Sequence, residues 1–283
     1  MSVHPYQWPK SHTCAVSVTV DVDAVTPMMW RLRNEKRYPV AEQEIRSFGL
    51  RQGVDRILDL LSSLAMSATF FVPGYIAETM PRIVARIVDE GHEVGLHGYL
   101  HEDIESLTET ENREVLAKSI RILKATSGNV PIGYRSPSWT MTPSLPRLLK
   151  ESGVEYDSSL MGYDHPYTIE DLTEVPVSWM ADDATYFFYP GPGDVIAPPW
   201  PVDQVERAWR DEIAAAKQFG GFVSLTAHPW LTGRGHRALA LERLLAEIKR
   251  DPAIWSAPCR EIVAYHASSP NHRNFEVQLG GSA

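Results

Sequence analysis

The sequence predicts an α/β fold with a parallel sheet closed into a barrel. Three observations carry that expectation. Apolar, β-branched runs alternate with amphipathic segments along the whole chain, the pattern of repeated strand–helix units. About seven or eight such units fit into 283 residues, a length that suits one (β/α) barrel. No glycine-rich phosphate loop follows the first strand, which argues against a doubly wound nucleotide-binding sheet.

The elements follow in order. "CAVSVTVDV" (14–22) reads as a buried strand. Residues 50–64 show helical spacing, with Val54, Ile57, Leu58 and Leu61 on one stripe. "ATFFVPG" (68–74) is a strand stopped by Pro-Gly. Residues 80–90 follow as a helix with Pro81 in its first turn, Ile83, Val84, Ile87 and Val88 as its stripe, and Gly91 as its stop. "HEVGLHG" (92–98) is the third strand. Thr108 and Glu111 form a capping box for a helix to about Ser127, with Leu116, Ile120 and Leu123 inward. "PIGYRSP" (131–137) is a short strand, 143–152 a short helix, and "VEYDSSL" (154–160) and "TEVPVSW" (173–179) further strands. Asp203 and Glu206 are expected to cap a helix to Phe219. "GFVSLTAH" (221–228) is a strong late strand, and 237–249 a helix carrying Leu241, Leu244, Leu245 and Ile248. The segment 27–49 reads as a long loop over the barrel mouth, and the polar tail after about Ser268 as a mobile end or an oligomer arm.

Composition narrows the partners. Hydrophobic content of 43% and charged content of 22% are those of a packed globular protein. The net charge of −9, with no basic block, argues against a nucleic-acid partner. Two cysteines in unrelated contexts, Cys14 and Cys259, form neither a disulfide framework nor a CxxC zinc site. The start lacks the basic and apolar regions of a secretory signal, and no apolar run is long enough to span a membrane. A cytoplasmic protein is the expectation.

The chemistry sits at strand ends, where barrel enzymes keep their functional groups. The first strand ends in Asp21-Val22-Asp23, the third in His97 with His101 four residues on, the fourth in Arg135, and the late strand in His228-Pro229. Asp23, His97 and His101 make a two-histidine, one-carboxylate set that suits a hydrolytic zinc or similar divalent ion with open positions. Such an ion brings proton loss from water near neutral pH. Asp21 is placed to take that proton, and Arg135 to pair with Asp21 and orient it. His228, across the rim, is placed to protonate a leaving nitrogen. Backbone N–H groups near Ser138 are placed to hold an oxyanion. Trp139, Trp179 and Trp230 are candidate substrate walls. Each feature alone has a structural explanation: an Asx turn, a solvated helix face, an ion pair, core tryptophans. Their convergence from four strand ends on one rim favours chemistry.

"VTVDVDA", "ATFFVPG", "GHEVGLHGYLH", "GYRSPSW" and "SLTAHPW" resemble, in order and spacing, the motifs of the NodB-homology polysaccharide deacetylases, carbohydrate esterase family 4. The resemblance covers roughly residues 14–265 and implies one catalytic domain over 1–283 with a distorted (β/α)7 barrel. It implies one divalent ion, commonly zinc, on Asp23, His97 and His101, with Asp21 as base, His228 as acid and Arg135 tuning the base. An acidic residue that orients His228 is also implied, and Asp182 and Asp183 are the candidates. Two features depart from the family pattern: the usual Asp-Asp pair is Asp-Val-Asp, and Gly98 stands where Ser or Thr usually follows the first histidine.

"YDSSLMGYDHPY" and "EVPVSWMADDATYF" resemble a branch of that family similar to both the Helicobacter-type peptidoglycan deacetylase and the allantoinase and cyclic imide hydrolase relatives. N-deacetylation of an N-acetylated sugar is therefore the first functional expectation. Hydrolysis of a small cyclic imide or ureide is the second, and a silent binding barrel the third. The large apolar residues Met28, Met29, Trp30, Phe187, Phe188 and Trp200 predict that 27–49 and 162–200 close over the mouth, with a second subunit as one way to complete it.

Overall fold

The computed structural model describes residues 6–189, 199–268 and 276–277. Within them the chain runs β1 (Cys14–Asp21), α1 (Thr26–Arg31), α2 (Val40–Phe48), α3 (Val54–Ser63), β2 (Thr69–Val72), α4 (Gly74–Thr79), α5 (Pro81–Asp89), β3 (Glu93–Leu96), α6 (Glu109–Ser127) and β4 (Gly133–Tyr134). It continues with α7 (Leu145–Glu151), β5 (Tyr156–Asp157), β6 (Tyr167–Ile169), β7 (Leu172–Glu174), α8 (Ala184–Phe187), α9 (Val202–Phe219), β8 (Phe222–Ala227), α10 (Gly235–Arg250), β9 (Ile254–Ser256), α11 (Cys259–Ser268) and β10 (Glu276–Val277). The strands form one curled sheet in the order β10-β6-β7-β5-β4-β3-β2-β1-β8, with β9 against the start of β1. After β7 the chain returns to the far edge, where Asp182 bridges Thr226 of β8 in parallel. The fold is the distorted (β/α)7 barrel.

Period-two alternation decides what faces where. On β1, Val16, Val18 and Val20 join the main core with Val22, which follows the strand, while Ser17, Thr19 and Asp21 occupy the other face. On β8, Val223 and Leu225 join that core while Ser224 and Thr226 alternate with them. Thr19 Oγ1 lies 3.2 Å from Ser224 Oγ and 2.9 Å from Thr226 Oγ1, so the two polar faces meet. Register then levels the strand ends: Asp21 pairs with Phe71, Val20 with Ala227, and Leu96 with Tyr134.

Several local expectations hold. Thr108 and Glu111 form the reciprocal capping box, and α6 ends at Gly128 with φ 77°. Others need correction. The segment 27–49 is not a loop but carries α1 and α2; it lacks a visible apolar stripe because Val40 and Ile45 are exposed and Arg46 is the buried residue of α2. Asp203 and Glu206 do not cap α9. Pro201 occupies that position without a side-chain bond, and Glu206 instead accepts bonds from Arg210 and Arg243. The sheet is not wholly parallel. Glu170 and Asp171 both take positive φ, 47° and 62°, and their two-residue turn makes β6 and β7 an antiparallel hairpin. The tail after Ser268 lies outside the described residues except for β10, which pairs with β6.

The chain linking α2 to α3 (Gly49–Gly53) is a π-helical turn packed against the loop after β8. A Cβ on Gly53 or Gly233 would overlap the Pro229 carbonyl, so two backbones touch there directly. Pro229 follows His228, and the contact fixes the loop that carries that histidine.

Candidate active site

β1 and β3 deliver the metal-ligand candidates. His97 Nε2 lies 3.0 Å from Asp23 Oδ1, and His101 Nε2 3.6 Å from Asp23 Oδ2. The ring centroids of His97 and His101 are 5.0 Å apart at 85°. His97 Nδ1 lies 2.7 Å from the Arg135 carbonyl, so Nδ1 carries the proton and Nε2 offers its lone pair to the pocket. Asp23 Oδ1 is buried and has no hydrogen-bond partner among the described residues. Two imidazole nitrogens and an orphaned carboxylate oxygen facing one another are the donor set a divalent cation completes, so the residues fit the implied ion.

Without a cation the three groups lean on one another: burial opposes charge on the His97 imidazole, but Asp23 and Asp21 outweigh it and raise it above the ordinary histidine range. Burial pushes the Asp23 carboxyl upward, but His101, His97 and His228 outweigh it and hold the group well below the usual carboxylate range. Burial takes His101 down to about 4, which leaves its ring neutral and able to donate a lone pair.

The turn between the histidines is built by two residues. Gly98 has φ +66°, and a Cβ there would lie 2.6 Å from Glu102 Oε2. Buried Glu102 accepts the amides of Tyr99 and Leu100 at 2.8 and 2.7 Å. His101 itself has φ 57°. The four-residue spacing therefore works through an irregular turn rather than a helix face.

Arg135 is fully buried and binds across the barrel. Nη1 donates to Asp21 Oδ1 at 2.8 Å and to Thr19 Oγ1 at 3.0 Å; Nη2 donates to Ser158 Oγ and Ser224 Oγ; Nε donates to the Ser158 carbonyl. Its guanidinium lies 4.3 Å from the Phe71 ring centroid. Asp21 is thereby held at the rim beside Asp23.

On the opposite side, Asp183 is the aspartate that meets His228. His228 Nδ1 lies 2.6 Å from Asp183 Oδ1, the His228 amide donates to Oδ2 at 2.8 Å, and Thr232 donates to the same oxygen. Asp182 Oδ1 is 3.8 Å from His228 Nδ1 and instead accepts the Ala184 amide at 2.6 Å. Burial raises the Asp182 carboxyl to about 7, with His228 opposing and Asp183 adding. Burial also opposes charge on His228, but Asp183 and Asp182 outweigh it and pull the imidazole well above the ordinary histidine range. His228 Nε2 is 3.5 Å from Asp23 Oδ2.

Asp21, Asp23, His97, His101, Asp182 and His228 line one cavity of about 340 Å³, near the lower bound for small-molecule pockets, with Asp183 and Arg135 buried behind it. Ser138 and Trp139 take consecutive left-handed conformations at φ 55° and 57° on its wall. The Trp139 amide donates to the Ser136 carbonyl, so it is engaged internally. The Trp139 and Trp179 ring centroids lie 4.6 Å apart with the planes tilted by 39°, and Phe188 meets Trp230 edge-on at 5.8 Å. Of the residues expected to close the mouth, Met28 and Phe187 are buried, Met29 and Trp30 are half-buried, and Trp200 is exposed. From 27–49, Pro27 and Arg46 reach the cavity, and from the described part of 162–200, Trp179, Asp182, Ala184, Thr185 and Phe188 do; residues 190–198 lie outside the described set.

Sequence reasoning missed Arg46, Glu102 and the hydroxyl cage of Thr19, Ser158, Ser224 and Thr226. The cage was signalled by polar residues at alternate positions in two otherwise apolar strands, "VSVTVD" and "FVSLTA". Arg46 carried no such signal.

Fold and rim together define a NodB-type barrel with a group at its mouth that could hold a metal ion. A family model described as polysaccharide deacetylase matches residues 47–156. A solved Mycobacterium smegmatis structure, provisionally described as a polysaccharide deacetylase, is 33% identical, covering 99% of this chain and 97% of its own at a TM-score of 0.89. A peptidoglycan deacetylase of Helicobacter pylori is 28% identical over 277 residues, 84% of this chain and 91% of the relative. A PuuE allantoinase structure shares the fold at 22% identity and a TM-score of 0.81, covering 93% of each chain. The chain belongs to the polysaccharide deacetylase family.

Proposed function

We propose that the protein is a divalent-metal hydrolase that removes the acetyl group from an N-acetylated amino sugar. The observation that carries this reading is the meeting of Asp23, His97 and His101 with Asp21 on one side and the Asp183–His228 pair on the other, around one cavity. Asp23, His97 and His101 would hold the cation. Bound there, it would supply positive charge that acidifies water and polarises the amide carbonyl.

The chain's own groups do the rest. Asp21, oriented by Arg135, takes the proton of the attacking water. His228, held in orientation by Asp183 and kept protonated by it, gives a proton to the departing amine. Trp139 and Trp179 offer a stacking wall to the apolar face of a sugar ring. The cavity volume suits one sugar unit at the reacting position.

Family membership and the peptidoglycan deacetylase relative support a sugar amide as substrate. The likeness to the allantoinase rests on fold alone and carries no substrate. The test is a panel of chitooligomers, N-acetylglucosamine, succinimide, hydantoin and allantoin, with acetate release and ring opening followed on the metal-loaded protein. Acetate release from the sugars is the expected outcome. Ring opening of an imide or ureide without acetate release would overturn the reading.

A further inference from the structure

Arg46 of α2 is a buried arginine on the wall of the catalytic cavity, and none of the roles above uses it. Its guanidinium is fixed on several sides. Nε donates to Glu42 Oε1 at 3.0 Å, and Nη1 to the carbonyl of Ala24, the residue after Asp23, at 3.4 Å. The guanidinium carbon lies 4.7 Å from the Trp230 ring centroid and 5.9 Å from that of Phe188. The third nitrogen, Nη2, has no hydrogen-bond partner among the described residues.

The partner of Nε is itself shared. Glu42 also binds Arg31, at 2.5 Å, so one carboxylate serves two guanidinium groups. Arg135 shows what a structural arginine in this barrel looks like: each of its nitrogens is bonded to protein. Arg46 differs by leaving one nitrogen without a protein partner at the cavity. A preorganised, partly desolvated guanidinium with a free edge is a site for a carboxylate.

We propose that Arg46 forms an anion subsite that selects N-acetylated sugars carrying a carboxylate substituent. The inference rests on reading the cavity as an N-acetyl sugar site, and binding can be tested apart from turnover. The probe pair is N-acetylmuramic acid and its methyl ester, alike in shape and differing in one charge. Affinity for each is measured by calorimetry on the metal-loaded protein, with acetate release followed separately. The wild type should bind the acid roughly tenfold or more tightly than the ester. In Arg46→Met the acid-to-ester ratio should fall to about one, and in Arg46→Lys, which keeps charge but loses the planar fork, it should lie between. Equal affinity for acid and ester in the wild type would overturn the subsite, whatever the variants do. So would a full preference surviving in Arg46→Met, which would assign the carboxylate to the cation instead. Failure of acetate release from every sugar would sink the proposed reaction and leave the binding ratio to decide the subsite.

Discussion

Among the described residues, two of the groups of buried carboxylates contain an oxygen without a partner. Asp23 Oδ1 faces the nitrogens of His97 and His101. Asp157 and Glu174, at the ends of β5 and β7, leave Asp157 Oδ2 and Glu174 Oε2 unpartnered while their other oxygens accept Ser159 Oγ and the amides of Ser159 and Leu160. The deficits look alike and differ in kind. In the first, an ionised carboxylate meets two imidazole rings, and what is missing is a cation. In the second, carboxyl meets carboxyl, and what is missing is a proton. The titration directions separate them: Asp23 is held down by histidines, whereas burial and the nearby Asp157 push Glu174 well above the ordinary glutamate range. An orphaned buried oxygen is thus not in itself a sign of function; the charge of the groups around it tells what it requires.

His97→Ala should break the first group completely. It removes one of the three proposed protein ligands, so bound metal and turnover should vanish together, turnover to the uncatalysed background. Metal analysis of the purified variant checks this, and stoichiometric metal would remove His97 from the ligand set. Asp21→Asn sharpens the contrast by leaving the ligands in place. Metal should be retained while kcat falls by roughly 10²–10⁴-fold, the usual contribution of a general base. Near-normal turnover would place the base elsewhere.

Gly98→Ala tests whether the turn holds the two histidines together. A left-handed alanine with its Cβ against Glu102 should cost about 1–3 kcal/mol of stability and weaken metal binding. Chemical denaturation and metal titration read both, and wild-type values would mean that the turn adapts freely. Glu174→Gln addresses the second group and should have the smallest effect. A raised folded pKa means that the contribution of Glu174 is present below about pH 4.3, its ordinary value, and lost as pH rises toward the raised value. Wild-type stability should carry a term falling by up to ~1.4 kcal/mol per pH unit across that window. Gln keeps the acceptor for the two amides and gives Asp157 a fixed N–H, so that term should disappear from the variant's denaturation curves. An unchanged slope would remove the shared proton.

Much of the site was legible because barrel chemistry sits where strand patterns stop. Asp21, Asp23, His97, Arg135 and His228 each end or follow a readable strand, and registry brings those ends level. The choice between Asp182 and Asp183 was not legible. It depends on the bridge from Asp182 to Thr226, a tertiary pairing that turns the next side chain toward His228. Arg46 was hidden for a related reason. Its burial comes from Trp230 and Phe188, far away in the chain, while its own helix shows solvent its apolar residues Val40 and Ile45. The β6–β7 hairpin escaped because Glu-Asp occupies a turn that usually advertises itself with Asn or Gly.

The backbone contact of Gly53 with Pro229 and Gly233 also governs when the rim can be assembled. The metal-ligand candidates and the proposed base all lie within the first 101 residues, whereas His228 waits for a loop seated against a turn near residue 50. Closing so long a loop in the chain is entropically costly and slow, so it belongs among the last steps of folding. A nascent or partly refolded chain would thus own its ligands before it owned its proton donor. Hydrolytic competence would arrive only with the finished barrel.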